Sequence, residues 1–463
     1  MEKMYKRKIS AWERMMNHSP YSVVSMLVRI KGQVTEQMLR DAVKKLQSRH
    51  TLLGVRVEID SEGTPWFTSE GIKEIPIEVL PRKDNNSWIE IYDKACTQPF
   101  DYNERPGIRF YLLNSGEMTE ILIFEHHLFC DGKSLAFLAR DMMEYLGDPS
   151  KEVEILADPL PINIETIPEG QKLGGFMLKI VGKINDKLAP EKVDFDFEDY
   201  FELQKAYWKK FNHKTISIEL SAEETSKIVQ KSKESGVSVN SALATAFAGA
   251  QRIVQGKKPF HSKIGVGVDL RKSLNFPQEI HGFYAGVVNS EFKYNPKKSM
   301  WDNTKAFHKT VSKLYTDKVF FKDPAMFSAM DPSMMEQRFY KILGGLLEAD
   351  SHKFEKISKF ANRSDTLLSL LKRSDTDSLE KVIMGTAITN LTRMDFPEKY
   401  GDLVLERLIM QPGGGFPLTT VNLVVGVVTC SGKMSIIVEY AEDQLDMETA
   451  QKIREMAMEF LLS

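Results

Sequence analysis

The stretch RFYLLNSGEMTEILIFEHH, residues 109 to 127, constrains this chain more than any other. Two apolar runs flank a turn at Ser115-Gly116, the pattern of a tight hairpin. The second run is apolar at successive positions, which suits a strand covered on both faces. After Gly132, SLAFLARDMMEYL places Leu135, Leu138, Met142 and Tyr145 on one helical stripe. A buried strand feeding an amphipathic helix requires a sheet with a helical layer on it. That strand nevertheless ends in two titratable rings, His126 and His127, with Asp131 and Gly132 close behind.

The same grammar recurs along the chain. YSVVSMLVRIK (21–31) reads as a strand, and TEQMLRDAVKKLQSRH as a helix capped by Thr35. LLGVRVEID and residues 64–68 read as further strands. Residues 147–170 are rich in proline and small polar residues, as linkers are. A basic segment follows, KLGGFMLKIVGKINDKL, then an acidic one, DFDFEDYFE. The basic segment admits two readings, a membrane-surface helix or a lid or bridge over a neighbouring domain, and the second is favoured. From residue 206 the plan restarts. KTISIEL is a strand; a helix opens with the capping box Ser221 and Glu224 and closes at Gly236; Ser238 caps another. KIGVGVDL reads as a buried strand. Residues 300–385 read as mainly helical, including SLLKRSDTDSLEKVI; TTVNLVVGVVTCSGKMSIIVEYAE is a hairpin and METAQKIREMAMEFLL a closing helix.

The expected fold is α/β (α+β): two domains, each a mixed sheet flanked by helices, rather than a doubly wound parallel sheet. Domain ranges are 1–165, a bridging segment 166–205, and 206–463. A length of 463 residues suits two cores. Formal charge is −2, so no global field favours nucleic acid or an anionic surface. Three widely spaced cysteines, Cys96, Cys130 and Cys430, suggest neither a disulfide framework nor a zinc cluster, and fit a reducing compartment. No signal-peptide h-region and no spanning apolar run are visible, so a cytoplasmic protein is expected.

Alternation along the strand puts Ile121, Ile123, Glu125 and His127 on one face, and Leu122, Phe124 and His126 on the other. The two histidines therefore need not share a role. The bland reading is a strand that ends in polar residues, with Asp131 or Ser134 capping the next helix. A metal site is a weaker reading, because adjacent strand histidines diverge and no ligand-spaced cluster surrounds them in sequence. SGEM and PGGGFP are glycine turns rather than phosphate loops. YWKKF around Trp208 reads as a solvated face over an aromatic core residue.

The string HHLFCDG matches HHxxxDG, and the chain is identified on it as resembling the chloramphenicol acetyltransferase-like superfamily. That group includes nonribosomal-peptide condensation domains, plant BAHD acyltransferases, polyketide-associated acyltransferases and alcohol acetyltransferases. LQSRHTLLGVRVE, PFDYNERPGIRFYLL, VGVDLRKSLNFPQEIHGFYAGVV and AITNLTRMDFPEKYGDLVL resemble further family segments. Two departures stand out. Thr392 occupies the place of the glycine expected after Asn390-Leu391. The plant-type DFGWG signature is absent, and QPGGGFPLTT (411–420) does not match it.

The resemblance implies a V-shaped pair of domains with a tunnel between them and His127 midway. It implies acyl transfer from acyl-CoA or a carrier-protein thioester, through phosphopantetheine, to an alcohol, with His127 as general base and no acyl-enzyme. No metal or prosthetic group is required. A histidine base suits this, since its unperturbed pKa of about 6.5 leaves it largely neutral at pH 7. Cys130 inside the motif invites a covalent alternative. The resemblance gives Asp131 a structural salt bridge, for which Arg271 is the partner named; Gly132 would permit a close approach, and His126 would be a hydrogen-bonded structural ring. Asn390 and Thr392 are candidates for the oxyanion donors or tunnel lining. Rival expectations are a free-standing condensation domain, acting on an amine with a carrier-tethered donor, and a silent recruitment module that binds a carrier protein.

Overall fold

The computed structural model describes residues 4–372, 381–413 and 420–463. Parts of two sequence readings, 373–380 of the SLLKRSDTDSLEKVI helix and 414–419 of QPGGGFPLTT, lie outside the described residues.

The strands in chain order are β1 (Lys6–Lys8), β2 (Val23–Lys31), β3 (Arg56–Ile59), β4 (Pro65–Thr68), β5 (Ile77–Pro81), β6 (Ile108–Ser115), β7 (Met118–His126), β8 (His213–Glu219), β9 (Lys263–Asp269), β10 (Ala285–Glu291), β11 (Met384–Met394), β12 (Lys399–Tyr400), β13 (Leu403–Gln411), β14 (Val421–Cys430) and β15 (Lys433–Ala441). They form two six-stranded sheets and a small three-stranded one. The N-terminal sheet runs β12-β13-β2-β7-β6-β5; the C-terminal sheet runs β10-β9-β11-β14-β15-β8. Both are mixed. Among the described residues, only β5 pairs parallel in the first, whereas β11 pairs parallel with both β9 and β14 in the second.

The β6–β7 hairpin forms as its pattern predicts, with Asn114 opposite Thr119 and Gly116 in the left-handed region at φ +63°. On one face of the N-terminal sheet, Ile121 and Ile123 meet Leu39, Val43 and Leu46 of the helix Glu36–Arg49. They also meet Leu135, Leu138 and Met142 of the helix Gly132–Gly147. On the other face, Leu122 and Phe124 meet Trp88, Tyr92 and Phe100, together with Leu270, Phe283 and Tyr284 from the second half. A separate core joins the C-terminal sheet to the helices Val239–Val254 and Met447–Leu462.

The halves are interlocked. β12 and β13 come late in the chain, within 206–463, yet β13 pairs antiparallel with β2, Leu408 opposite Val28. This strand exchange carries the second half onto the first sheet. It also carries the segment 390–394 toward the helix that follows the histidines.

Candidate active site

The motif sits where β7 ends. His126 is the last residue of the strand and His127 the first beyond it, so strict alternation stops at His126. That ring lies on the Leu122/Phe124 side, edge-on to Phe100 and 4.9 Å from the Tyr102 ring. Its Nδ1 accepts from the Leu128 backbone N–H at 3.2 Å, while its buried Nε2 has no partner among the described residues. Burial, and the neighbouring His127, hold its pKa well below the ordinary value.

His127 is held differently. Its backbone N–H donates to Ser22 O at 2.8 Å, and its ring packs edge-on against Phe283, 4.9 Å between centroids. Nδ1 lies 2.7 Å from the Cys130 carbonyl oxygen. A carbonyl only accepts, so Nδ1 must carry the proton. The neutral ring then presents an unprotonated Nε2, for which the structure shows no partner among the described residues. Burial lowers the pKa, partly offset by the Cys130 carbonyl and Asp131. The result is a neutral imidazole of fixed tautomer at neutral pH.

Asp131 turns away from that ring. It caps the helix Gly132–Gly147 by accepting from Ser134 N at 2.9 Å. It also accepts from Arg271 Nη1 and Nη2 at 2.9 and 3.1 Å and from Tyr284 N at 2.9 Å. Burial alone would raise its pKa; the Arg271 charge and these donors overcome that and hold it below the usual carboxylate range. The Arg271 side chain is fully buried. It donates also to Asp269 at 3.0 Å, Ser134 Oγ at 2.7 Å and the Ile280 and Gly282 carbonyls. The structure thus brings Asp131 and Arg271 together across the two halves. Replacing Gly132 with a Cβ-bearing residue would set that atom 3.3 Å from Leu391 Cδ2 and 3.5 Å from Met410 Sδ, both on strands of the second half.

Asn390 and Thr392 meet each other: Thr392 N–H donates to Asn390 Oδ1 at 2.7 Å. Thr392 is exposed, has φ +64°, and marks an irregularity in the β11–β14 register.

Several contacts have no signal in the sequence. Phe283 braces the His127 ring, and Lys133 reaches Asp269 at 2.9 Å. His281 Nε2 lies 2.9 Å from Glu125 Oε1, both residues buried. In space, though not in sequence, Glu125, Cys130 and His281 place one ligand atom each within 4.8 Å of one another. By distance the trio could hold a metal ion. Its chemistry points to a hydrogen-bonded wedge, for the histidine nitrogen is already paired with the carboxylate. Burial and Glu125 together push the Cys130 thiol well above its ordinary pKa. A thiol kept protonated is a poor nucleophile, which weighs against the covalent alternative.

Residues 4–154 match the family model of the condensation domain. Cyclosporin synthetase simA of Tolypocladium inflatum is 27% identical over 154 residues, 32% of this chain but 1% of that protein. The chain thus spans a very small part of the curated relatives it matches. Among the solved structures that superpose over nearly the whole chain are the following two. Trichothecene 15-O-acetyltransferase TRI3 from Fusarium sporotrichioides has a TM-score of 0.63 at 14% identity, covering 99% of this chain and 95% of that one. The epimerization domain from the third module of tyrocidine synthetase B has a TM-score of 0.62 at 13% identity, covering 99% and 96%. Residues 4–154 thus carry the condensation-domain signature, and the chain as a whole has the fold of these two structures.

Proposed function

We propose that this chain transfers an acyl group from a phosphopantetheine-type thioester to a nucleophile, with His127 as the base. The observation that carries this is the Nδ1 contact to the Cys130 carbonyl, which leaves Nε2 as the basic atom. As the acceptor's oxygen or nitrogen bonds to the thioester carbon, its proton passes to Nε2. The tetrahedral intermediate then collapses, the C–S bond breaks, and the departing thiolate takes the proton back. His127 returns to its starting state and no acyl-enzyme forms. This chemistry needs no metal. Asn390 and Thr392 remain the proposed source of oxyanion donors; with Asn390 Oδ1 engaged by Thr392 N–H, the Asn390 amide NH₂ is the donor on offer.

Two acceptor classes have support. The family match over residues 4–154 favours the condensation reading, with a carrier-tethered donor and an amide or ester product. The whole-length likeness to an O-acetyltransferase favours an alcohol with acyl-CoA. The test is thiol release from a panel of acyl-CoAs and acyl-loaded carrier proteins, with alcohol and amine acceptors, for wild type and His127→Ala. Acceptor-dependent release that the substitution abolishes supports the proposal and identifies the acceptor class. Carrier binding without release from any donor would instead make this chain a recruitment module.

A further inference from the structure

The helix Gly175–Leu188 has two unlike faces. On its inner face Val181 and Leu188 are buried, and Leu188 and Ile184 pack with Phe339 and Tyr340. Asn185 Nδ2 donates to Ala329 O at 3.0 Å, and its Oδ1 accepts from Asp331 N at 2.9 Å. This side bridges to the helical layer of the second half. At about 3.6 residues per turn, the opposite side carries Phe176, Lys179, Ile180, Lys183 and Lys187. Phe176 is 77% exposed and Ile180 38%.

The charge is one-signed as well. Residues 172–188 hold four lysines against the single acid Asp186, in a chain whose formal charge is −2. Lys172 pairs with Glu169 at 2.6 Å. Lys179, Lys183 and Lys187 pair with no carboxylate among the described residues. A helix anchored by its inner face gains nothing in folding from aromatic and aliphatic side chains held in water on its outer face.

We propose that this outer face lies on an anionic lipid surface. Phe176 and Ile180 enter the headgroup boundary, and the three lysines meet the phosphates. The shape suits a surface better than a protein partner. A stable protein interface needs about 800 Å² per side. A 14-residue helix, roughly 21 Å long and 10 Å wide, projects on the order of 200 Å². No helix among the described residues is long and apolar enough to cross a membrane, so this contact would be peripheral.

The experiment is co-sedimentation of the full chain with vesicles of phosphatidylcholine alone and of an equimolar phosphatidylcholine–phosphatidylglycerol mixture, at low and high salt. Wild type is expected to sediment with the anionic vesicles and to be released by salt. K179E/K183E/K187E should lower partitioning by at least about a hundredfold. F176S/I180S should weaken it at low salt. Both variants should keep wild-type circular dichroism and wild-type thiol release from soluble donors, which separates this proposal from the catalytic one. If wild type shows no preference for anionic vesicles, or if the variants bind as it does, the proposal is wrong. If the variants instead lose only turnover with a loaded carrier protein, the face is a protein-docking site and the lipid assignment also falls.

Discussion

Strands β7 and β15 show what the site is made of, because they share a plan while their side chains differ. Each is a nine-residue second strand of a hairpin. Each is followed by a short turn, residues 127–130 or 442–445, then an aspartate N-cap and a 16-residue helix. Even the caps agree: Asp131 accepts from Ser134 N at 2.9 Å, and Asp446 accepts from Thr449 N at 2.8 Å. From the strand end to the first helical residue, only the capping aspartate is shared. His126, His127, Cys130 and Gly132 correspond to Ala441, Glu442, Leu445 and Met447. Asp446 is exposed, and its carboxylate accepts besides only from Thr449 Oγ1 at 2.8 Å among the described residues. Asp131 is buried and tied to Arg271 and Tyr284 from the other half. The capped turn is therefore a property of the fold, built twice. The fixed, neutral imidazole arises only in the copy against which the second half packs Phe283, Arg271 and Leu391.

Substitution at paired positions breaks that comparison most sharply. His127→Ala should lower acceptor-dependent thiol release by on the order of 10²–10⁴-fold, the usual worth of a general base. Glu442→Ala, at the matching place, should leave it unchanged. Equal losses in the two variants, with both folded by circular dichroism, would remove His127 from the mechanism.

Next comes the buried charge pair. Arg271→Ala leaves Asp131 without its counter-charge and should cost about 3–5 kcal/mol in a urea unfolding series. Asp446→Ala, which removes only an exposed cap, should shift the midpoint far less. The Arg271→Ala deficit should shrink as pH falls through the carboxylate range, because a neutral Asp131 needs no partner. A charge-reversed pair, Asp131→Arg with Arg271→Asp, that folds no better than either single change would count against the bridge as the stabilising element.

Acid should destabilise the fold through its buried histidines. His18 bonds to Tyr340 at 2.8 Å and His213 to Tyr207 at 3.0 Å, and burial pushes the pKa of each down to about 3. A histidine depressed in the folded state takes its proton more readily when unfolded. Stability is thus complete above about pH 6.5 and is lost as pH falls toward the folded value. Near pH 5 each histidine should cost about 2 kcal/mol. Catalysis should follow the same sign, since His127 is also depressed: the acid limb of kcat/KM should fall below the ordinary histidine range. An inflection above about 6.5 would assign the base elsewhere.

What could be read in the sequence was local. The hairpin at Ser115-Gly116, the caps at Thr35, Ser221 and Ser238, and the stripe Leu135, Leu138, Met142 and Tyr145 depend on neighbours within a few residues. The HHxxxDG string pointed to the right fold because it is itself one local turn. The rest depends on pairings between distant residues. LVLERLIMQ carries no mark that it will join β2, some 380 residues earlier in the chain. Glu125 and His281, 156 positions apart, read singly as a strand residue and a loop residue. The bracing of His127 by Phe283 has the same origin. The Asp131–Arg271 pairing was suggested by the resemblance rather than by any spacing in the chain.

Thr392 offers the smallest test, and it bears on how far this chain follows the superfamily it resembles. A threonine at φ +64° is β-branched in a region that suits glycine, at a cost of about 1–2 kcal/mol. Its side chain is exposed, so packing returns little. Thr392→Gly removes that strain but gives the unfolded chain more freedom, worth somewhat less than the strain removed. The expected outcome is a gain of about 0.5–1 kcal/mol in urea unfolding, with the Thr392 N–H to Asn390 Oδ1 bond retained. If turnover also holds, Thr392 is a tolerated departure from the family's glycine and the hydroxyl has no part in the reaction. If stability rises while turnover falls with KM unchanged, the hydroxyl contributes in the transition state. That outcome would make the bulge in β11 part of the working site on the second half, the counterpart of His127 on the first.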